Sequence, residues 1–173
     1  ELNTVIRYGG KLGANYAEAR GQEITRTILT IKDSRVEAAK EGIEKGVAIR
    51  VLANGAWGFA SVGTENKQLL KNVTCEAYKM AKRTSQNLKD PVRLAETKTV
   101  KDKVKVKAIE ALKEITLGDK IDLVLSVNKE AFEYDRRIRS CTIYYLDLTE
   151  TTNYMNSDGT SIEHDKLYVW LGL

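Results

Sequence analysis

The chain has 173 residues, 28 of them basic and 24 acidic, and its 42% hydrophobic and 30% charged residues give the balance of a soluble globular protein. No stretch reaches the roughly 20 apolar residues of a membrane span, and residues 1–3 begin no signal peptide, so we expect a cytoplasmic protein that does not bind membranes. The net charge of +4 is a weak excess, and the lysine-rich run at 98–107 holds no arginine or aromatic residue, which disfavours nucleic-acid binding.

The first elements predicted along the chain are a helix and two strands. Apolar residues at helical spacing over residues 1–13, a stretch that ends on glycine, indicate the last turns of a helix. The β-branched run at 24–31 predicts a strand. Residues 32–34 predict a turn, and a second strand then runs through Val36 towards Gly42.

The clearest local signal is the Asn-Gly pair at 54–55, which lies between two alternating runs. A type I′ turn needs positive φ at both central residues, and Asn-Gly satisfies that need. This loop places Leu52 opposite Trp57 and Arg50 opposite Phe59. One face of the hairpin is then small and apolar: Val47, Ile49, Val51, Ala53, Ala56, Gly58, Ala60 and Val62. The other face carries Arg50, Leu52, Trp57, Phe59 and Ser61.

A helix is expected to follow at once and to cover the small face. Thr64 is the expected N-cap, and Glu65 is expected in the first turn, where a negative charge favours the helix dipole. Cys75 falls on the opposite side of the helix from the apolar stripe. The predicted stripe consists of Leu69, Leu70, Val73, Ala77, Met80, Ala81 and Thr84.

The second half of the chain again predicts helices followed by strands. A short helix is predicted over 108–115, and the capping-box pattern at 116–119 begins a longer one. Strands are predicted at 142–149 and 151–157. An Asp-Gly turn then leads into a last strand that ends at Leu171.

These elements predict an α+β fold, with a mainly antiparallel sheet built from hairpins and helices packed on one face. We expect an amino-terminal domain over 1–87 and a polar connector over 88–103, which contains the only proline. A second α+β part of the same region is expected over 104–173.

Catalytic and metal-binding patterns are absent from the sequence. His164 is the only histidine, so an HExxH pair cannot be completed locally. A Ser-His-Asp triad would also need His164, and the sequence has no GxSxG elbow to present a serine. Cys75 and Cys141 lie far apart in the chain and have no base beside them in sequence that would activate a thiol. We therefore assign no catalytic residue, no metal ligand and no cofactor within this chain.

Two constellations are candidates for contact with a partner or a peptide. Arg50, Trp57 and Phe59 share one hairpin face, where the arginine can stack on an aromatic ring. Ordinary packing against the rest of the protein is the alternative. Asn156 begins the sequence Asn-Ser-Asp-Gly, for which a plain turn is the alternative.

Several strings of residues resemble the amino-terminal domain of TldD/PmbA proteins. They are GANYAEAR at 13–20, GVAIRV at 46–51 and GAWGFAS at 55–61. An alanine-containing helix and the late NSDG at 156–159 follow in the same order as in the family. The resemblance is close over residues 10–85 and looser beyond them.

The resemblance implies a zinc peptidase that cuts unfolded or small peptides and assembles as a homo- or heterodimer around an enclosed cavity. Members of this family are also described as modulators of DNA gyrase. Their metal motif, HExxxH with a later cysteine, belongs to the carboxy-terminal part, and the sequence ends at Leu173 before any such motif. Zinc is thus expected only in the full-length protein.

The same resemblance implies a role for this chain as the non-catalytic, amino-terminal part of such a peptidase. It would wall the cavity, hold the partner subunit and help to admit an extended peptide. The alternative is a non-catalytic scaffold or regulatory subunit of the PmbA type, which lacks the zinc ligands.

Overall fold

Helices and strands alternate in blocks along the chain. A computed structural model describes residues 1–173, apart from the side chains of residues 110 and 111. In chain order the elements are α1 (Asn3–Leu12), β1 (Tyr16–Lys32), β2 (Arg35–Ala53), β3 (Ala56–Val62), α2 (Lys67–Ser85), β4 (Lys101–Val104), α3 (Ala108–Glu114), α4 (Leu117–Tyr134), β5 (Thr142–Asn156) and β6 (Ser161–Gly172).

The strands form one sheet in the order β3-β2-β1-β5-β6-β4. The β2–β3 pair is antiparallel, whereas β4 runs parallel to β6. The sheet is mainly antiparallel and helices pack against it, so the predicted α+β class is confirmed.

The chain divides into two compact units, and neither is one continuous stretch of sequence. Unit 1 comprises Glu1–Glu23, Lys45–Val104 and Thr151–His164, and unit 2 comprises Ile24–Glu44, Lys105–Glu150 and Asp165–Leu173. Each unit has its own apolar core. Residues of the first core include Leu2, Val5, Ala17, Val47, Ile49, Val51, Leu70 and Ala77. Residues of the second include Leu29, Ile31, Val124, Ile143 and Tyr145. The domain limits expected from sequence stay a prediction.

The hairpin of β2 and β3 has the predicted turn and register. Asn54 has φ of 51° and Gly55 has φ of 77°, as a type I′ turn requires. Leu52 pairs with Trp57 and Arg50 pairs with Phe59. The prediction is confirmed, and with it the division of the hairpin into a small apolar face and an aromatic face.

The small face lets α2 pack closely on β3. A β-carbon built on Gly58 would lie 2.8 Å from the backbone nitrogen of Ala81 and would overlap the carbonyl group of Ala77. Ala77 and Ala81 are fully buried. A helix therefore covers the small face, as expected. Only glycine at position 58 allows the backbones of β3 and α2 to lie this close together.

The predicted start of α2 was wrong. Asn66 is the N-cap, and its Oδ1 accepts hydrogen bonds from the N–H groups of Gln68 and Leu69 at 2.9 and 3.1 Å. Thr64 Oγ1 instead accepts a hydrogen bond from the Asn66 N–H at 3.3 Å. Glu65 consequently precedes the cap, and the first turn of the helix contains no acidic residue.

The apolar stripe of α2 was also partly wrong. The buried residues of the helix are Leu70, Thr74, Ala77 and Ala81. Leu69 and Met80, both predicted to be buried, are 44% and 49% exposed. The buried stripe is rotated because Thr74 can enter it: its hydroxyl donates a hydrogen bond to the Leu70 carbonyl oxygen at 2.6 Å.

Several strands differ in extent from the prediction. β1 begins at Tyr16, and β2 continues through Gly42 and Gly46 without interruption. β5 is likewise one strand. Residues 101–103 of the predicted connector lie in β4. Pairing on both sides of β1 and β2 overrides the weak strand propensity of their glycines and polar residues.

The helices of unit 2 agree with the prediction. α3 occupies the predicted position, and α4 begins with the predicted capping box, in which Thr116 Oγ1 accepts from the Asp119 N–H and Asp119 accepts from the Thr116 N–H. Among the residues that the structure describes, no helix is both long enough and apolar enough to cross a bilayer.

Candidate functional site

A row of aromatic and polar side chains crosses unit 1 on the sheet face opposite α2. Its members are Trp57 and Phe59 on β3, Arg50 on β2, Tyr16 and Glu18 on β1, and Tyr154 and Asn156 on β5. Residues two apart on a strand share a face, so each pair points to the same side. We call Arg50, Trp57 and Phe59 the aromatic–arginine surface.

Arg50 is the centre of this surface. Its guanidinium carbon lies 4.4 Å from the Trp57 ring centroid and 6.0 Å from that of Phe59. Its Nε lies 2.6 Å from Glu18 Oε1 in an ion pair. The carboxylate balances the positive charge of the guanidinium group and fixes that group over the rings. This surface therefore combines a stacked cation with two aromatic side chains.

The two aromatic rings of β3 remain accessible. Phe59 is 55% exposed, and Trp57 is half-buried. The rings lie 6.4 Å apart, and Trp57 makes an edge-to-face contact with Tyr16 at 5.8 Å. Because α2 occupies the other side of β3, these rings have no helix to cover them. An exposed aromatic pair on a rigid strand is typical of a contact surface.

Glu18 is held by two tyrosines as well as by Arg50. The hydroxyls of Tyr16 and Tyr154 donate to Glu18 Oε2 at 2.7 and 2.9 Å. Burial raises the pKa of Glu18, but the hydrogen bond from Tyr16, the ion pair with Arg50 and the hydrogen bond from Tyr154 together outweigh it, so the pKa lies below its usual value. Burial and the neighbouring carboxylate raise the pKa of Tyr16. Glu18 therefore stays ionised and both hydroxyls stay protonated at neutral pH.

Asn156 joins the same row through Tyr16. Its Nδ2 donates to the Tyr16 hydroxyl oxygen at 3.2 Å, and its Oδ1 accepts from the Thr160 N–H at 2.9 Å. The structure thus brings the two constellations found in the sequence into one network. Asn156 has a turn role as well, because the bond to Thr160 closes the β5–β6 connection.

Sequence reasoning missed Tyr16, Glu18 and Tyr154. A signal for the first two existed, because they lie two residues apart in the string at 13–20 and so share a strand face. No comparable signal existed for Tyr154, which meets Glu18 across 136 positions of sequence.

A second polar cluster is buried in unit 2. Lys120 Nζ lies 2.7 Å from Asp147 Oδ2 and donates to Thr27 Oγ1 at 2.8 Å. Tyr145 donates to the same Asp147 oxygen at 2.7 Å. Burial and the carboxylate raise the pKa of Tyr145. At the solvent side of the cluster, the exposed Glu41 lies 3.9 Å from Lys120 Nζ and accepts from Thr27 Oγ1 at 3.3 Å. These bonds join α4 to strands of the sheet, so the cluster acts to anchor the helix.

Two family models match the chain. The one described as "PmbA/TldA metallopeptidase domain 1" matches residues 17–81, and "PmbA/TldA metallopeptidase central domain" matches residues 110–173. Together they cover more than half of the chain. The chain belongs to the PmbA/TldD family. The resemblance stated from the sequence strings is confirmed.

Relatives of this PmbA/TldD chain carry the metalloprotease name. A metalloprotease of Methanocaldococcus jannaschii is 26% identical over 149 residues, which are 86% of this chain and 33% of that protein. A metalloprotease of Methanothermobacter thermautotrophicus is 28% identical over 148 residues, 86% of this chain and 31% of that protein. The chain spans about a third of the length of these relatives.

Solved structures share the fold of the family chain. TldE from Thermococcus kodakarensis has a TM-score of 0.82 at 19% identity, covering 98% of this chain and 37% of its own. A Thermotoga maritima protein, named as a candidate modulator of a DNA gyrase, has a TM-score of 0.76 at 18% identity, with the same coverage of 98% and 37%. At these identities the similarity concerns the fold.

The metal implied by the name metallopeptidase has no matching donor set here. Among the residues that the structure describes, no three His, Cys, Asp or Glu side chains lie together as a metal site would require. His164 is half-buried on β6, and Cys75 and Cys141 are free, half-buried thiols. The residues present do not fit a zinc ion, and no chemical step is assigned to one in this PmbA/TldD chain.

Proposed function

We propose that this chain is the amino-terminal, non-catalytic part of a zinc-dependent peptidase of the PmbA/TldD family. In the proposal the aromatic–arginine surface contacts the partner subunit and forms part of the wall along which an extended peptide enters. The zinc ligands would lie in the two thirds of the relatives' length that the chain does not span, and the compartment would be the cytoplasm.

The observation that carries the proposal is the accessible Trp57–Phe59 pair with Arg50 stacked on it. The small face of the hairpin already binds α2, so packing within unit 1 gives these rings no further cover. Tryptophan and arginine are the residues that most often dominate the energy of protein interfaces. The tyrosine–glutamate network behind Arg50 fixes its orientation before a partner arrives, which lowers the entropic cost of binding.

Family membership and the metalloprotease names of the relatives support the choice of a peptidase over other enzyme classes. The lack of a metal donor set among the described residues supports a non-catalytic part for this chain. A partner subunit of the same family, in a homo- or heterodimer, and an unfolded peptide substrate are the proposed partners.

The test compares the full-length protein with the 173-residue chain after dialysis. We expect the full-length protein to retain zinc and to hydrolyse an unfolded peptide, with loss of activity on chelation. The chain alone is expected to hold well under one zinc per molecule and to be inactive. His164→Ala in the full-length protein is the control and should leave zinc content unchanged.

Two outcomes would contradict this proposal. Stoichiometric zinc on the 173-residue chain, lost in His164→Ala, would place a metal site in this region. A full-length protein that retains no zinc and cuts no peptide would instead favour the scaffold or regulatory subunit.

A further inference from the structure

Strand β3 presents an unprotected edge. It is the terminal strand in the sheet order, and its sequence, AWGFASV, contains neither a charged residue nor proline. Natural proteins usually protect free edges with charges, prolines or bulges. The strand at the opposite end, β4, has that protection, because three of its four residues are charged in KDKV. The β3 edge is therefore the one suited to pair with another strand.

The register shows which backbone groups face this edge. Ala53 and Ala56 flank the two-residue loop and pair with each other. In such hairpins the flanking residues exchange both backbone hydrogen bonds, and the pattern then alternates along the strand. Trp57, Phe59 and Ser61 accordingly direct their N–H and C=O groups away from β2. On β3, the residues whose side chains lie on the aromatic face are therefore the same residues whose backbone groups point away from β2.

The connector already occupies the start of the edge. The Val92 N–H donates to the carbonyl oxygen of Gly55, two residues before Trp57, at 2.8 Å. Among the backbone hydrogen bonds of the described turns and loops, none involves Trp57, Phe59 or Ser61. The open part of the edge thus runs over residues 57–61, which is the length of a short extended segment.

One flank of α2 forms an apolar wall beside this edge. Lys67 and Lys71 line a pocket with α1, so that flank of α2 faces the first helix. Helical spacing places Leu69, Val73 and Met80 together on the other flank. Leu69 and Met80 are exposed although the sequence predicted them buried. Their exposure has a reason if a segment beside β3 lies against them.

The position of α2 conflicts with antiparallel pairing of a second copy of this chain at the edge, which puts both α2 helices on the same face. α2 lies directly over β3, in backbone contact distance of Gly58. Two β3 strands joined edge to edge would be about 4.8 Å apart. Their α2 helices would then lie closer than the 8–10 Å that packed helices need. A lone extended chain, which brings no helix of its own, fits without this conflict.

We propose that the β3 edge binds an extended peptide segment of about five residues as an added strand. Backbone groups of Trp57, Phe59 and Ser61 supply the hydrogen bonds. Segment side chains opposite these residues contact the aromatic rings, and the alternate side chains contact the Leu69–Met80 flank, so the segment is uncharged and apolar or β-branched. The inference rests on the proposed function and names the site and chemistry of its peptide.

The test uses the full-length protein and a dye-labelled, acetylated and amidated five-residue peptide of alternating valine and threonine. The matched probe is the same peptide N-methylated at each residue, which keeps the side chains but cannot donate backbone hydrogen bonds. We expect binding of the first peptide, at least about tenfold weaker binding of the second, and slowed amide exchange over residues 57–61 when the first is bound.

Ser61→Pro removes one outward N–H without breaking a bond to β2 and is expected to weaken binding about tenfold. Ser61→Ala keeps that N–H and should bind within twofold of the wild type. If Ser61→Pro does not fold, the N-methylated probe still decides the question.

Equal binding of the two peptides, or protection elsewhere than residues 57–61, would overturn the inference. So would protection of 57–61 that grows with protein concentration in the absence of peptide, since that indicates self-pairing. Peptide hydrolysis is a separate measurement: binding at β3 without hydrolysis contradicts the peptidase, and hydrolysis without protection of 57–61 contradicts the β3 site.

Discussion

Arg50 and Glu18, on neighbouring strands of unit 1, form an ion pair with 2.6 Å between Nε and Oε1. The Glu18 side chain is only 14% exposed, and it is the group that holds the arginine over Trp57. Replacing the carboxylate by an amide removes the charge while keeping an acceptor for the two tyrosines. Substitution of Glu18 therefore changes the aromatic–arginine surface at one defined interaction.

Glu18→Gln is expected to lower the free energy of unfolding by about 1–2 kcal/mol at pH 7, because charge-assisted hydrogen bonds are replaced by neutral ones. Urea denaturation measures this change. The matched control is Glu23→Gln, which breaks the exposed Glu23–Lys45 pair and should change stability by less than about 0.5 kcal/mol. Equal effects of the two substitutions would contradict a special role for Glu18.

The effect of Glu18→Gln should also depend on pH. The pKa of Glu18 is lower in the folded protein than its ordinary value of 4.5, so the unfolded chain takes up the proton first as the pH falls. The contribution of Glu18 is therefore complete above about pH 5 and is lost as the pH falls through the folded pKa. Denaturation at several pH values should show the wild type and the variant converging in acid. A constant difference down to pH 3 would contradict the account.

Gly58→Ala should strongly destabilise unit 1, because the new methyl group overlaps the Ala77 carbonyl in the helix above. Overpacking against backbone costs about 1–3 kcal/mol or more. Gly10→Ala is the control: nothing lies within 4 Å of its β-carbon position in α1, so a gain of about 0.4–1 kcal/mol is expected. Thermal melts of both variants check the pair, and a neutral Gly58→Ala would refute the close packing of α2.

Lys120→Met should cost about 3–5 kcal/mol, since it leaves the buried Asp147 carboxylate without its cation. Lys129→Met breaks only the exposed pair with Glu133 and should be nearly neutral. The double variant Lys120→Met/Asp147→Leu should recover most of the loss, because no buried charge is then left unpaired. The Glu41 carboxylate, 3.9 Å from Lys120 Nζ in the wild type, is 48% exposed and stays hydrated. Denaturant titration measures all three. If the double variant is as unstable as the single one, the cluster does more than balance its own charges.

The sequence predicted those features that depend on neighbouring residues. The β2–β3 register follows from Asn54 and Gly55, whose φ angles restrict the turn, and the alternation then assigns Arg50, Trp57 and Phe59 to one face. The start of α4 was equally local, because its capping box lies within four consecutive residues.

Features that depend on distant residues were not predicted. Glu18 and Tyr154 meet because β1 and β5 are neighbours in the sheet, and no local pattern encodes that neighbourhood. The N-cap of α2 was misplaced for a smaller reason: Thr64 and Asn66 are both good caps, and the preference between them depends on how the chain leaves β3. The buried Lys120–Asp147 pair was unforeseen because lysine in a helix usually faces solvent.

Trp57→Ala tests most directly whether Trp57 is a contact residue or a core residue. Sedimentation of the full-length variant is compared with thermal melting of the same variant in the 173-residue chain. We expect weakened assembly, because a tryptophan at an interface centre contributes roughly 2 kcal/mol or more. We expect the melting temperature of the variant chain to stay close to that of the wild type. Intact assembly with a collapsed melting temperature would contradict these expectations and would make Trp57 part of the core.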